Sequence, residues 1–284
     1  MLKSVPTSVA RLMLVAAVSL GSAFADRAYG WDAEVSWVLA GGQAYAAFGS
    51  DAITLGDVNG DGFSDIAVGA TNWSNGQINE GKVFVYHGSR NGPVLAWSRE
   101  GGDDLAFFGY CVAPAGDVNG DGYDDALLSA PAQINGGLPT GRVYLYLGSA
   151  SGLAGTAAWI ANGAAADSEY GGSIAGAGDV NGDGFDDIVI GARYQNGAFV
   201  GGGRIALHLG GPAGPSAQPA WAREGASDWA EFGASVSSAG DVNGDGYADL
   251  IAGAPGHRLN GVAVGAAYVY LGGATGLSNT PFWT

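Results

Sequence analysis

Four stretches of the chain carry the same seven residues, Gly-Asp-Val-Asn-Gly-Asp-Gly, at 56–62, 116–122, 178–184 and 240–246. Each continues into the pattern D-x-N-x-D-G-[FY]-x-D. The first set is Asp57, Asn59, Asp61, Phe63 and Asp65, and the second is Asp117, Asn119, Asp121, Tyr123 and Asp125. The third is Asp179, Asn181, Asp183, Phe185 and Asp187, and the fourth is Asp241, Asn243, Asp245, Tyr247 and Asp249. Three carboxylates and an amide at positions 1, 3, 5 and 9 gather hard oxygens on one side of a tight loop. The backbone carbonyl of position 7 adds another. Oxygen-only ligation of this kind favours Ca²⁺ over Mg²⁺ or Zn²⁺. With no cation the three carboxylates repel one another. A single Asp/Asn/Gly turn needs no metal, but four complete copies in register predict metal binding, about four Ca²⁺ ions with one per strip. In helix-flanked calcium loops position 12 is acidic. Here it is Val68, Leu128, Ile190 and Ala252, inside apolar runs, which places the strips at strand–strand corners.

The elements around the strips repeat with them. Trp37, Trp97, Trp159, Trp221 and Trp283 are spaced by 60, 62, 62 and 62 residues. An aromatic–Gly pair precedes each strip: Phe48-Gly49, Phe108-Gly109, Tyr170-Gly171 and Phe232-Gly233. An apolar run follows each: Ile66–Ala70, Ala126–Ala130, Ile188–Ala192 and Leu250–Ala254. After a variable loop come Val83–Tyr86, Val143–Leu147, Ile205–Leu209 and Ala267–Leu271. The nearly all-apolar runs suit strands buried on both faces, and the later segments are β-branched and aromatic. No stretch of the mature chain has helical periodicity with caps. About four short strands per unit, repeated, predict an all-β fold of propeller blades, with a linear β-solenoid as the alternative.

The aromatic–Gly pair, the acidic strip, and the trailing Gly69-Ala70-Thr71, Ser129-Ala130-Pro131, Gly191-Ala192-Arg193 and Gly253-Ala254-Pro255 together resemble the FG-GAP repeat of integrin α-subunit β-propellers and related bacterial secreted proteins. The resemblance covers essentially the whole mature chain. It implies a propeller of four-stranded blades whose hairpin corners each hold one Ca²⁺ through the Asp and Asn positions named above. It also implies a role in adhesion or surface recognition. Two features depart from the pattern. Integrin-like propellers usually have seven blades, against four full periods here, and Tyr170 replaces the usual Phe. Counted from the tryptophans, the repeats run at about 37–96, 97–158, 159–220 and 221–282 within a domain of 26–284. Both ends carry an outer-strand-like segment, Glu34–Leu39 and Pro281–Thr284. Three arrangements compete: an incomplete or truncated propeller, which the repeat count favours, a small closed ring, and an open array that needs a partner or associates with itself.

Composition agrees with many short strands and tight turns. Glycine numbers 52 of 284 residues while 47% of residues are hydrophobic, too apolar for a disordered linker. The net charge of -16 disfavours nucleic acid and anionic membranes as partners. Residues 1–25 read as a secretory signal: Lys3 and Arg11 are the only charges, Leu12–Leu20 is apolar but too short to span a bilayer, and Ser22–Ala25 offers small residues for cleavage. The expectation is a secreted or extracytoplasmic protein, periplasmic or on the cell surface, with no membrane span once the signal is removed. Cys111 is the sole cysteine, so no intrachain disulfide staples the exported fold.

No nucleophile elbow and no H-E-x-x-H helix appears. His208 occupies the slot of Tyr86, Tyr146 and Tyr270 and reads as a packed strand residue, His87 ends a strand, and His257 lies in a loop. Cys111 aligns with Ser173 and Ser235 and reads as a buried thiol. Repeated features point to structure, so specificity is expected in the loops that differ between units, which carry Trp73, Tyr194 and His257. Their aromatics among amides suit a protein or carbohydrate ligand. The reading is a calcium-binding recognition module. A propeller-fold hydrolase or lyase acting on polysaccharide, and a lectin, stand as alternatives.

Overall fold

The computed structural model describes residues 37–282. The chain divides after Val38, and every strand lies in the compact unit that begins at Leu39. The expected signal at 1–25 lies outside the described residues, as does Trp283. No described helix is long and apolar enough to cross a membrane.

Every named element is a strand. The first sheet holds β1 (Phe48–Gly56), β2 (Asp65–Ala70), β3 (Lys82–His87) and β4 (Val94–Glu100), antiparallel in chain order. The second holds β5 (Val112–Gly116) and β6 (Asp125–Ala130), then β9 (Arg142–Tyr146) and β10 (Trp159–Asn162). Its variable loop folds into a small hairpin, β7 (Ile134–Asn135) with β8 (Leu138–Pro139). The third holds β11 (Tyr170–Gly178), β12 (Asp187–Ala192), β13 (Arg204–His208) and β14 (Trp221–Glu224). The fourth holds β15 (Ser235–Gly240), β16 (Asp249–Ala254) and β19 (Ala266–Tyr270), with a loop hairpin of β17 (Arg258–Leu259) and β18 (Val262–Ala263). This last sheet has three strands among the described residues. Its fourth starts to form where the described chain stops: the Phe282 N–H donates to the Val269 carbonyl at 2.7 Å, as the Ala220 N–H does to Leu207 just ahead of β14. The first three sheets each close with the tryptophan strand, so each of these blades runs from its aromatic–Gly pair through the next tryptophan. Trp37–Ala40 forms no strand.

The blades stack in order, with inner strand β1 against β5, β5 against β11, and β11 against β15. Strand periodicity explains how one run serves two interfaces, because successive side chains point to opposite faces. On β6, Leu128 joins the cluster shared with the first blade and Leu127 the cluster shared with the third. On β12, Ile188 and Ile190 face back while Val189 faces forward. An edge-to-face aromatic pair closes each outer seam: Trp97 on Tyr146 at 5.1 Å, Trp159 on His208 at 4.9 Å and Trp221 on Tyr270 at 4.9 Å. His208 is thus the packed strand residue its alignment predicts. It is buried, with Nδ1 2.8 Å from the Ser216 carbonyl, and burial holds its pKa below the ordinary imidazole value.

The array is open. Among the described residues β15 makes no contact with β1 comparable to those within the stack, so the small closed ring is not formed. Forward-facing Ala67, Leu127 and Val189 are fully buried, whereas their equivalent Ile251 is 36% exposed.

Leu127→Ala should therefore cost about 2–5 kcal/mol, while Ile251→Ala at the equivalent site should cost under about 1 kcal/mol, read by denaturant melts. His208, whose folded pKa is depressed, favours folding above its unfolded value of about 6.5, and that contribution is lost as pH falls through the folded value. His208→Tyr should flatten this part of the acid limb in thermal melts at stepped pH.

Candidate metal centre

Each strip forms the hairpin corner between the first and second strands of its blade, as the apolar residue at position 12 predicts. Its backbone winds around the carboxylate of position 1. Asp57 accepts from the Asp61 N–H at 3.1 Å and the Gly62 N–H at 2.8 Å, and Asp61 accepts from the Phe63 N–H at 2.9 Å. The Asn59 amide donates to Asp61 at 3.0 Å. The same bonds recur around Asp117, Asp179 and Asp241. The side chains of positions 1, 3 and 5 reach solvent to varying degrees, and position 5 is exposed in all four strips.

Position 9 is different. Asp65, Asp125, Asp187 and Asp249 are fully buried. Asp65 accepts from the Val58 N–H at 3.0 Å and from the Gly88 N–H at 2.8 Å, tying the start of the strip to the end of the third strand. Asp125 holds Val118 and Gly148, Asp187 holds Val180 and Gly210, and Asp249 holds Val242 and Gly272 in the same way. Burial pushes the Asp65 carboxyl above the ordinary carboxylate range, and pushes Asp125 and Asp187 up to about 7. The backbone donors oppose the shift, while Asp121 with Asp117, and Asp183 with Asp179, add to it by repulsion.

The donor set is therefore all oxygen, and its most buried member is an anion short of positive charge. Every position-9 oxygen holds one hydrogen bond and keeps a second lone pair. The chemistry fits a hard divalent cation. Among the described residues no three carboxylate, His or Cys side chains stand ready-made as a metal cluster, and each strip's full set needs its Asn and its position-7 carbonyl.

The strips have a second role that their spacing along the chain does not reveal. Each of the first three strips is covered by the following blade. The Asp57 N–H donates to Asp124 at 2.7 Å, and the Asp117 N–H to Asp186 at 2.9 Å. The Asp57 and Val58 carbonyls accept from the Asp124 and Ser149 N–H groups at 3.2 and 3.0 Å. Val58, Val118 and Val180 are fully buried against the next blade. The position-7 aromatic of one strip lies over the position-4 glycine of the strip before. A Cβ on Gly60, Gly120 or Gly182 would come within 2.7 Å of the ring of Tyr123, Phe185 or Tyr247. The invariance of the pattern's Val, Gly and aromatic carried this signal, but only stacked blades reveal its use.

Of the remaining chemistry-bearing residues, His87 keeps a buried Nε2 with no hydrogen-bond partner, and the others are engaged. The Cys111 thiol donates to the Gly172 carbonyl at 3.3 Å, and burial pushes its pKa up to about 12. His257 Nδ1 lies 3.0 Å from the Tyr268 hydroxyl. Trp73 is packed on Phe84 beneath the Lys82 ammonium, and Arg193 covers Tyr194.

The FG-GAP repeat family matches residues 50–86, 108–146, 170–208 and 232–270. The chain belongs to the FG-GAP repeat family. Integrin alpha-5 of Xenopus laevis is 31% identical over 242 residues, 81% of this chain and 22% of that protein. Integrin alpha-V of Gallus gallus is 34% identical over 213 residues, covering 71% of this chain and 19% of that protein. This FG-GAP protein thus spans about a fifth of the length of these relatives. Among solved structures a rhamnogalacturonan lyase of Bacillus licheniformis aligns with a TM-score of 0.45 at 14% identity, over 82% of this chain and 41% of that one.

Asp124→Ala, which leaves the Asp57 N–H unpaired, should cost about 1–3 kcal/mol in denaturant melts. Cys111 should resist iodoacetamide in the native protein at mildly alkaline pH and react fully once unfolded, as mass spectrometry of the alkylated chain would show.

Proposed function

We propose that this protein is a calcium-stabilised recognition module that binds a protein ligand at the end of its blades opposite the strips. The observation that carries this reading is the contrast between the two ends. The strips lie at one end of the second strands, and the variable loops and the aromatic–Gly connections lie at the other. That second end exposes the apolar side chains of Ile78, Leu105, Leu138, Phe199, Trp229 and Leu259. Exposed apolar groups collected on one face mark interaction sites. Between the third and fourth blades Phe199, Trp229, Asp228 and Arg258 line a cleft of about 570 Å³, with aromatic walls and one charge of each sign. Trp and Arg are the side chains that most often dominate the energy of protein interfaces. Relationship to integrin alpha subunits supports a role in adhesion or surface recognition. An extracytoplasmic location, where free Ca²⁺ is plentiful, suits both parts of the proposal.

Asp57, Asn59, Asp61, the Phe63 carbonyl and Asp65 form the first proposed cation set, and the other three strips supply equivalents. The loop backbone is already wound, so ligation asks only that the exposed side chains at positions 3 and 5 rotate inward. The cation supplies the positive charge that the buried position-9 carboxylate lacks. Extracellular Ca²⁺ modules bind at about 10⁻⁴–10⁻³ M, so about 1 mM Ca²⁺ contributes roughly 0.4–1.4 kcal/mol per site.

Chelation should lower the melting temperature by the equivalent of about 2–6 kcal/mol over four sites, and native mass spectrometry should count four bound ions. Fewer than three ions would sink the four-site assignment. For the ligand face, peptides selected by display against the wild type should bind Trp229→Ala and Phe199→Ala chains much more weakly, with no change in melting temperature. Selection of nothing, or binding indifferent to both changes, would reject the protein-ligand reading, and a hit on a glycan array would replace it with a lectin.

A further inference from the structure

The blade–blade interface occurs three times among the described residues, and each of its two halves occurs once more with no described blade against it. The forward half is built from the last residue before the strip, the strip valine, and alternate residues of the second and third strands. In the first three blades these residues are buried: Leu55, Val58, Ala67, Val83 and Val85 in the first, and Ala177, Val180, Val189, Ile205 and Leu207 in the third. In the fourth blade the same positions hold Ala239, Val242, Ile251, Ala267 and Val269. Val242 is 54% exposed although its three equivalents are fully buried, and Ala267 and Ile251 are exposed as well. The fourth strip is also the one without a lid. A Cβ on Gly240 or Gly244 would meet nothing within 4 Å, whereas equivalent glycines of the earlier strips lie against the next blade.

The backward half is open on the first blade. Position 8 of the strip pattern is half-buried in Asp124, Asp186 and Ala248, and exposed in Ser64. Inner-strand residues Ala52 and Ile53 are exposed where Val112 and Ala113 are buried, and Ile66 is half-buried where Ala126, Ile188 and Leu250 are fully buried. The hydrogen-bonding groups match in the same sense. Within the stack, the N–H of position 8 and that of the residue after the third-strand glycine donate to the strip of the preceding blade, as Ala248 does to Asp179 and Gly273 to Val180. Ser64 and Ser89 hold these two positions in the first blade. Asp241 and Val242 offer the two carbonyls in the fourth.

We propose that a second copy of this chain docks head to tail, its first blade against the fourth blade of its neighbour. The occupant follows from continuity: the free surface on the fourth blade is the forward half of an interface the chain already builds three times, and the matching backward half is the free surface of its own first blade. Phe63 of the neighbour would lie over Gly244 and complete the fourth strip as Tyr123, Phe185 and Tyr247 complete the others. The contact joins two different patches, so it propagates around a ring or along a filament. The proposal stands on apolar and backbone complementarity and is separate from the calcium and ligand readings.

Analytical ultracentrifugation of the full chain in calcium buffer tests it. The wild type should gain mass with concentration in steps of one chain. Val242→Asp removes the forward half and Ser64→Arg obstructs the backward half. Both residues are exposed, so each variant should keep the wild-type circular dichroism and melting temperature while remaining a monomer. Mixed together, the two variants retain one intact pair of halves and should form a one-to-one dimer. A wild type that stays monomeric at every concentration, association that survives Val242→Asp, or a mixture of folded variants that does not associate would each overturn the proposal.

Discussion

The carboxylate at position 9 is the constraint on which the rest of the blade depends. It is an anion with no solvent exposure, and it bonds at once to the start of the strip and to the end of the third strand. Those two bonds fix where the corner sits relative to the sheet. The corner's placement in turn sets the strip valine against the next blade and presents the position 1 carbonyl to it. Removing a carboxylate from water is costly unless it is paired, and here the compensation inside the blade is two backbone N–H groups. The upward pull on Asp65, Asp125 and Asp187 shows that this compensation is incomplete. A divalent cation at the mouth of the loop would make up the difference.

The same corner also joins blades to one another. In a chain without a disulfide, sheets meet only through packing and hydrogen bonds, and the strips supply two or three of those bonds at every interface. Each repeat contacts only its neighbours, so stability accumulates along the stack. A cation at one corner would therefore support two blades. This accounts for a sequence that keeps Val, Gly and an aromatic residue as constant as the acids.

The variable loops lie at the other end of the sheets. The loops there share no common pattern, and they expose apolar and aromatic groups that the blades do not use. A rigid stack with variable loops on one face is a frequent basis for recognition, since the scaffold holds loop positions while their residues change.

The sequence alone determined the repeat, the strand content, the corner position of the strips and the packed roles of His208 and Cys111. Each of these follows from local spacing, from alternation between apolar and polar residues, and from equivalent positions in successive repeats, all of which can be read along the chain without knowing how blades pack. It did not reveal that Asp124 and Asp186 bond to the preceding strip, that Tyr123, Phe185 and Tyr247 cover the preceding glycine, or that Trp73 is packed while Phe199 and Trp229 line a cleft. Those contacts join residues of different repeats or of separate loops, some 60 positions apart for the strip contacts. Only stacked blades bring them together. The free halves at the two ends of the stack were hidden for the same reason: Val242 and Val58 are identical in sequence, and only the presence or absence of a next blade makes one exposed and the other buried.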